Sequence, residues 1–388
     1  MKIAYLARRP IPSVNANSVQ IVEMCEAFAD IGHEVVLLAR AGDDCPETIF
    51  DRYGVRRNFD VEVYPRRPGK LGSVQMAGDL LRDRLNFAPD IYFGRDIGSL
   101  SVAALVGKPL VYEAHVIPER YTYRWRLLAW LFARRNFSHL VCVTSTLAEM
   151  HREQFEALAN KPIIVAPNGA AEPETCPAIE EWPGRPGVLQ VGFVGRPFRG
   201  KGIEAMVAAA HALGELDFHI VGADRCDVAW IEGEMPANLH FHGYQPHRDI
   251  ARYHAHFDIA TAPYGAKVMN ASGFESASIT SPLKMLEYMA AGLPTIVSDL
   301  PGVRDMTNGA DVVELVEPGD DEAFIAAIRR LERDPARRRA LGVAARRRYE
   351  TRHRTISRAR AVLEPLNGLA TAQPAPVSTL RTPKRKVA

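Results

Sequence analysis

The sequence predicts an α/β protein of two Rossmann-like domains facing one another across a cleft. Three observations carry this expectation: a strand–helix–strand pattern at the start of the chain, a Pro/Gly-rich break near its middle, and a restart of the same pattern beyond the break. With 388 residues the chain exceeds what one hydrophobic core usually holds, which favours two domains of under about 200 residues each.

Residues 2–6 form a short apolar run suited to a buried strand. A Pro/Ser/Asn loop then leads into residues 19–31, where Ile21, Met24, Cys25 and Phe28 recur at helical spacing. Gly32 closes this helix as a left-handed cap, and residues 33–38 resume as a strand, which completes a β-α-β unit. Further strands are expected at 90–93, 110–112, 140–143 and 163–165, with helical stretches between them, and such alternation implies a parallel sheet. Pro173, Pro177, Pro183, Gly184, Pro186 and Gly187 cannot continue helix or sheet. They place a hinge at 172–187 between an N-terminal domain, 1–171, and a C-terminal domain, 188–350. The second domain starts with a strand at 188–194, a Gly-rich loop, an Ala-rich helix over 203–213 and a strand at 218–221. Strands at 239–241, 259–262 and 295–297 and helices around 247–255, 283–291 and 322–333 continue it. Residues 351–366 are expected to form a helix crossing back to the N-terminal domain. Residues 367–388, with Pro374, Pro376, Pro383 and Lys384-Arg385-Lys386, read as a disordered basic tail, either plainly solvated or touching an anionic surface.

Apolar residues make up 47% and charged residues 24%, a globular balance, and a formal net charge of +2 gives no global attraction to nucleic acid. Cys25, Cys45, Cys142, Cys176 and Cys226 form no CxxC pair, which suits reduced thiols in the cytoplasm. The first apolar run breaks at Arg8, Arg9 and Pro10, unlike a secretory signal. The apolar run at 127–133 is far shorter than the roughly 20 residues that cross a bilayer. A cytoplasmic protein is expected, at most peripheral at the inner membrane face.

The segment 194–202 lies between strand and helix and combines Gly195, Gly200 and Gly202 with Arg196, Arg199 and Lys201. Glycines let a backbone approach a ligand, a helix N-terminus favours anions, and Arg196 and Lys201 add full charge, so the loop suits a phosphate; the alternative is a solvated basic turn. It is not a Walker A loop, because Gly202 stands where Ser or Thr is required. A second loop, 279–294, starts a helix with Pro282 in its first turn and ends it at Gly292, directing amides around Ser281, Pro282 and Leu283 outwards. Glu287 within that helix either accepts hydrogen bonds from vicinal ribose hydroxyls or is an ordinary exposed glutamate. His240/His242 and His254/His256 have H-x-H spacing but no third ligand cluster, so they read as ordinary histidines and no metal site is expected.

Taken in order, Pro167-Asn168-Gly169, Gly195-Arg196 through Lys201-Gly202, the 281–294 motif and Val316-Glu317-Pro318-Gly319-Asp320 resemble glycosyltransferase family 4, the retaining group 1 transferases with the GT-B fold, over residues 1–365. The resemblance implies a retaining, metal-independent transfer from a nucleotide diphosphate sugar to a hydroxyl acceptor, in bacterial surface polysaccharide or glycoconjugate synthesis, with no cofactor. It implies that Arg196 and Lys201 hold the donor diphosphate, that the 281–283 backbone caps the distal phosphate, and that Glu287 binds ribose. The backbone at Tyr244 and Gln245 would meet the nucleobase. His115, ending Val111-Tyr112-Glu113-Ala114-His115, would face the donor sugar as the catalytic candidate. Asn15, Asn17 and Ser18 occupy the place of the family's Gly-rich acceptor loop; asparagine tolerates the left-handed turn that glycine would make there. Ile279 stands where the family often has the first of two glutamates, so the sugar does not follow by analogy. The chain has no Asp-x-Asp, so cations and helix N-termini are expected to neutralise the leaving group.

The acceptor is expected to be a glycan, a lipid-linked molecule or a small molecule. Residues Arg120 to Arg135 mix arginines with aromatic and aliphatic residues, predicting either a peripheral membrane contact or a helix that packs Trp125, Leu128, Leu131 and Phe132 on the sheet. Two other functions share the architecture: a nucleotide-sugar epimerase and a non-catalytic nucleotide-sugar binding module.

Overall fold

The computed structural model describes residues 1–13, 16–42, 48–64, 87–173, 177, 179–268 and 277–366; Asn15 and the 367–388 tail lie outside them. The N-terminal sheet comprises β1 (Lys2–Ile11), β2 (Glu34–Ala41), β3 (Asp60–Tyr64), β4 (Ile91–Gly94), β5 (Leu110–Ala114), β6 (Phe137–Cys142) and β7 (Ile163–Val165). Its order is β3-β2-β1-β4-β5-β6-β7, with every pairing parallel. The C-terminal sheet comprises β8 (Gln190–Val194), β9 (Asp217–Val221), β10 (Leu239–Phe241), β11 (Ile259–Ala262), β12 (Thr295–Ser298) and β13 (Glu314–Val316), also parallel, in the order β10-β9-β8-β11-β12-β13. Each sheet reverses its winding beside its first strand, and the crevice at the strands' carboxyl ends is where such folds take ligands.

The central strands alternate between two covered faces. Ile3 and Tyr5 point into a core with Val22, Phe28 and Phe93; Ala4 and Leu6 point into one with Leu128, Leu131 and Phe132. The expected loop after Leu6 begins later, because β1 continues to Ile11. Pro10 has no N–H for the ladder, and the register against β2 shifts between Ala7 and Pro10. β3 and β13, not anticipated from the sequence, extend one edge of each sheet.

The last described helix returns to the domain in which the chain begins. Ala170 forms a parallel bridge with Arg354, and the helix Thr355–Leu363 packs against the helix Ala16–Asp30, placing Ala359, Val362 and Leu363 in the core that holds Tyr5. The expected hinge is anchored at its second end. The Trp182 ring stacks on His256 with centroids 4.3 Å apart, its indole N–H donates to Gln190 at 3.0 Å, and Arg185 pairs with Asp217. His242 lies 3.0 Å from His219 in the same cluster, and burial, reinforced by His240 and His256, holds its imidazole at about 4. Among the described residues no three His, Cys, Asp or Glu side chains form a metal-ligand set, and no helix is long and apolar enough to cross a membrane.

Candidate active site

The carboxyl ends of β1 and β5 on one side, and of β8 and β9 on the other, border a cleft of about 1700 Å³ between the domains. Arg196, Lys201, Ser281, Pro282, Leu283, Glu287, Tyr244, Gln245, His115 and Asn17 all line it, although they come from both halves of the chain.

On the C-terminal wall, the loop after β8 gathers its cations around one ring: the Arg196 guanidinium lies 5.0 Å and the Lys201 amine 5.1 Å from the Phe198 centroid. Burial, reinforced by Arg196, lowers the Lys201 amine below the ordinary lysine value, so a bound anion, which favours the ammonium, would offset this strain on the pair. Gly200 is needed for its left-handed φ of 74° and because a Cβ there would lie 1.9 Å from the Lys267 carbonyl. Its amide is already taken, donating to the Glu204 carboxylate at 2.8 Å, so part of the loop expected to meet an anion is satisfied internally.

The second loop opens the helix Leu283–Ala290, which begins one residue after Pro282. Pro282 itself has no N–H, so of the three residues expected to cap a phosphate it offers shape without a donor. Ser281 is partly engaged: its hydroxyl accepts the Asn168 amide at 3.1 Å, and its carbonyl accepts the Asn168 side chain at 2.9 Å, tying this loop to the 167–169 motif across the cleft. Glu287 lies about one turn into the helix. Its carboxylate accepts a hydrogen bond from His247 at 3.0 Å, and although burial alone would raise it, His247 holds it below the usual carboxylate range. Burial alone would lower His247, but Glu287 and then Glu23, reaching from the N-terminal domain, raise it to about 9. Tyr244 is half exposed at the rim, and the Gln245 side chain donates to the His242 carbonyl at 2.6 Å.

On the N-terminal wall β5 carries Glu113, and His115, one residue past the strand's end, turns back to meet it. Glu113 is fully buried and accepts from Tyr5 at 3.1 Å, from Arg95 Nε at 3.0 Å, from His115 Nε2 at 3.2 Å, and from Arg358 of the Thr355–Leu363 helix. Burial pushes this carboxyl up, but Arg358 and Arg95 outweigh it and hold it well below the usual range. Burial and Arg95 together depress His115 to about 4, against the opposing pull of Glu113, so near neutral pH the imidazole is uncharged. The contact to ionised Glu113 uses Nε2 as donor and leaves Nδ1 as the acceptor.

Of the expected acceptor loop, Asn17 reaches the cleft and accepts from Arg95, which also donates to Gln20 at 3.0 Å. Ser18 does not face it: it is 1% exposed and its hydroxyl meets Ser13 at 2.6 Å. Ile279, which stands where the family often has its first glutamate, is 4% exposed and joins the N-terminal cluster containing Val143 and Leu147, so this position packs the domains together. The helix Tyr123–Phe132 divides its faces: Leu128, Leu131 and Phe132 are buried and Trp125 stacks on Phe155, while Tyr123 remains 77% exposed. With Val116, Trp130 and Leu105, Tyr123 forms an apolar shoulder on the cleft wall beside Arg124.

Sequence reasoning passed over Glu113, Arg95, Arg358, His247 and Lys284. Glu113 carried a readable signal, an acid two residues before His115 in an apolar strand. Arg358 and His247 had none, because each meets its partner only through the tertiary fold.

Residues 18–171 match the family profile described as Glycosyltransferase Family 4, and residues 188–334 that described as Glycosyl transferases group 1. The chain is 25% identical to the sulfoquinovosyl transferase SQD2 of Arabidopsis thaliana over 350 residues, covering 82% of this chain and 64% of that protein's length. Among solved structures, HepE of Anabaena in complex with UDP superposes with a TM-score of 0.71 at 17% identity, covering 95% of this chain and all of that one. Sucrose-phosphate synthase of Thermosynechococcus elongatus superposes with a TM-score of 0.70 at 17% identity, covering 96% and 100%.

Proposed function

Because this chain belongs to the group 1 glycosyltransferases of family 4, with the GT-B fold, we propose that it moves a sugar from a nucleoside diphosphate donor to a hydroxyl acceptor with retention, without a divalent cation. The observation that carries this reading is the convergence of Arg196, Lys201, Glu287, the 281–283 backbone and His115 on one cleft. Arg196, Lys201 and the first-turn amides of the Leu283–Ala290 helix supply positive potential where the leaving diphosphate gains charge. Glu287 exchanges its bond to His247 for the ribose hydroxyls, and the backbone near Tyr244 and Gln245 lies beside the base.

His115 positions the sugar. Its unprotonated Nδ1 accepts from a sugar hydroxyl, and its neutral ring adds no charge that would oppose an oxocarbenium-like centre. The acceptor hydroxyl attacks from the side the diphosphate leaves, giving its proton to a donor phosphate oxygen, so no protein nucleophile is required. The apolar shoulder of Leu105, Tyr123 and Trp130, with Arg124 beside it, suits a lipid-linked acceptor presented at a membrane surface, as in the assembly of bacterial surface glycans. The plant relative is a sulfoquinovosyl transferase by name, consistent with this reading.

The test is donor turnover. A thermal-shift panel of UDP, GDP, ADP, CDP and dTDP identifies the base, after which release of that nucleoside diphosphate is followed with chelator present. Lys201→Ala and Glu287→Ala are each expected to lower turnover about 100-fold or more while retaining the folded state. Wild-type kinetics in both variants would refute the assignment.

A further inference from the structure

The Leu283–Ala290 helix carries a further basic residue into the cleft wall that holds Arg196 and Lys201. The ammonium nitrogen of Lys284 is withdrawn from solvent and has no hydrogen-bond acceptor among the described residues. It lies 3.7 Å from the centroid of the Phe193 ring and 5.4 Å from that of Tyr264, so its contacts are aromatic faces. It sits directly beneath the phosphate loop: a Cβ built on Gly195 would come within 2.7 Å of it. The carboxylate nearest along its own helix, Glu287, is occupied by His247.

A buried amine without an acceptor is an unfavourable arrangement that a methionine of similar length would avoid. Arg196, Lys201 and Lys284 line the same part of the cleft, with Gly195 thinned to bare backbone between Lys284 and the loop above it. We propose that Lys284 is a third cationic contact to the donor diphosphate, approaching from below the Gly195 backbone while Arg196 and Lys201 approach from the loop. This rests on the donor reading given above and adds a residue to it.

The proposal has a consequence that a packing role lacks. Burial, reinforced by Lys201 and opposed by Glu287, lowers the Lys284 amine well below the ordinary lysine value. The empty site therefore disfavours the ammonium, and a bound diphosphate favours it. Donor binding is then coupled to proton uptake at Lys284 Nζ. The other titratable groups around it, Lys201, Tyr264, Glu287 and His247, remain in the variants, and because Lys201 and Glu287 are coupled to Lys284, the comparison reads the net change in proton uptake.

The experiment is calorimetric titration of the full chain at pH 8 with the nucleoside diphosphate selected by the panel, in two buffers of different ionisation enthalpy. Lys284→Met and Lys284→Gln are compared with wild type. Both variants are expected to bind at least about tenfold more weakly and to take up fewer protons than wild type, with affinity for the bare nucleoside unchanged. Lys284→Met is also expected to melt at or above the wild-type temperature without nucleotide, since it removes an unsatisfied buried group. Diphosphate affinity and proton count equal to wild type in both variants overturn the role of Lys284 and leave the donor reading intact. Failure of wild type to bind any member of the panel overturns both.

Discussion

Glu113 and Arg358 form a buried contact whose two sides should not be equally costly to remove. The cluster holds one carboxylate and two guanidiniums, Arg95 and Arg358, beside a neutral imidazole. Glu113→Gln leaves two cations facing each other without an anion. A unit-charge interaction at about 4 Å and an effective dielectric constant of about 20 is worth about 4 kcal/mol, and breaking a buried pair from one side costs about 3–5 kcal/mol. Arg358→Met leaves Glu113 paired with Arg95 and costs chiefly the donors to the Ala166 and Pro167 carbonyls, about 1–3 kcal/mol. At about 2–4 °C per kcal/mol, the first variant should melt about 6–20 °C below wild type and the second about 2–12 °C below it, the smaller drop of the two. Scanning calorimetry with urea unfolding at pH 7.5 reads both values. Arg358→Met as destabilising as Glu113→Gln, or Glu113→Gln within about 0.5 kcal/mol of wild type, would refute the charge accounting.

Other expectations follow from the same geometry. His247 is raised in the folded state, so its pairing with Glu287 stabilises fully below about 6.5 and is lost as pH rises through about 9. Urea unfolding should lose on the order of 2 kcal/mol between pH 7 and 9.5, and His247→Gln should abolish that slope. His139, His151, His254 and His353 are held at about 4, chiefly by burial, while the unfolded chain binds protons from about 6.5 downwards. Stability should therefore fall with acidification, by on the order of 2 kcal/mol per site at pH 5, enough in sum to match a typical native stability of about 5–15 kcal/mol. Near-ultraviolet circular dichroism should show tertiary structure lost near about pH 5, and persistence below about pH 3.5 would contradict it. The protein should sediment with anionic liposomes at low salt, and Tyr123→Ala combined with Trp130→Ala should release it; equal binding of the double variant would remove the apolar shoulder from the account.

The fold was legible because its signals are local and repeated. Strands such as β5 and β8 are short apolar runs between turn residues, and the glycines at 195, 200 and 202 mark a strand-to-helix turn wherever it lies in space. Arg196, Lys201 and Glu287 could be read because their chemistry is set by position in such a turn or in the helix after it. The partners that tune the site could not. His247 meets Glu287 across 40 residues and Arg358 meets Glu113 across 245, distances over which residue spacing carries no information. Ser18 illustrates a different failure: the loop was identified, but which of its side chains turn inward depended on Ser13 and on Arg95, which drew Asn17 into the cleft and left Ser18 in the core. The hinge was read from prolines and glycines that forbid regular structure, yet Trp182 fastens its second end through a ring cluster drawn from three separate segments.

The arginine at position 358 also constrains how this molecule can be made or divided. On the ribosome, the first half of the chain emerges with an acid in its centre whose second counter-charge has not yet been synthesised, so that half reaches its final electrostatic balance only when the Thr355–Leu363 helix is released. A fragment ending at the interdomain linker would lack that helix and would expose the patch it covers on Ala16–Asp30. Expression boundaries, tags and fusions are therefore safest beyond Leu366, where they leave the returning helix in place.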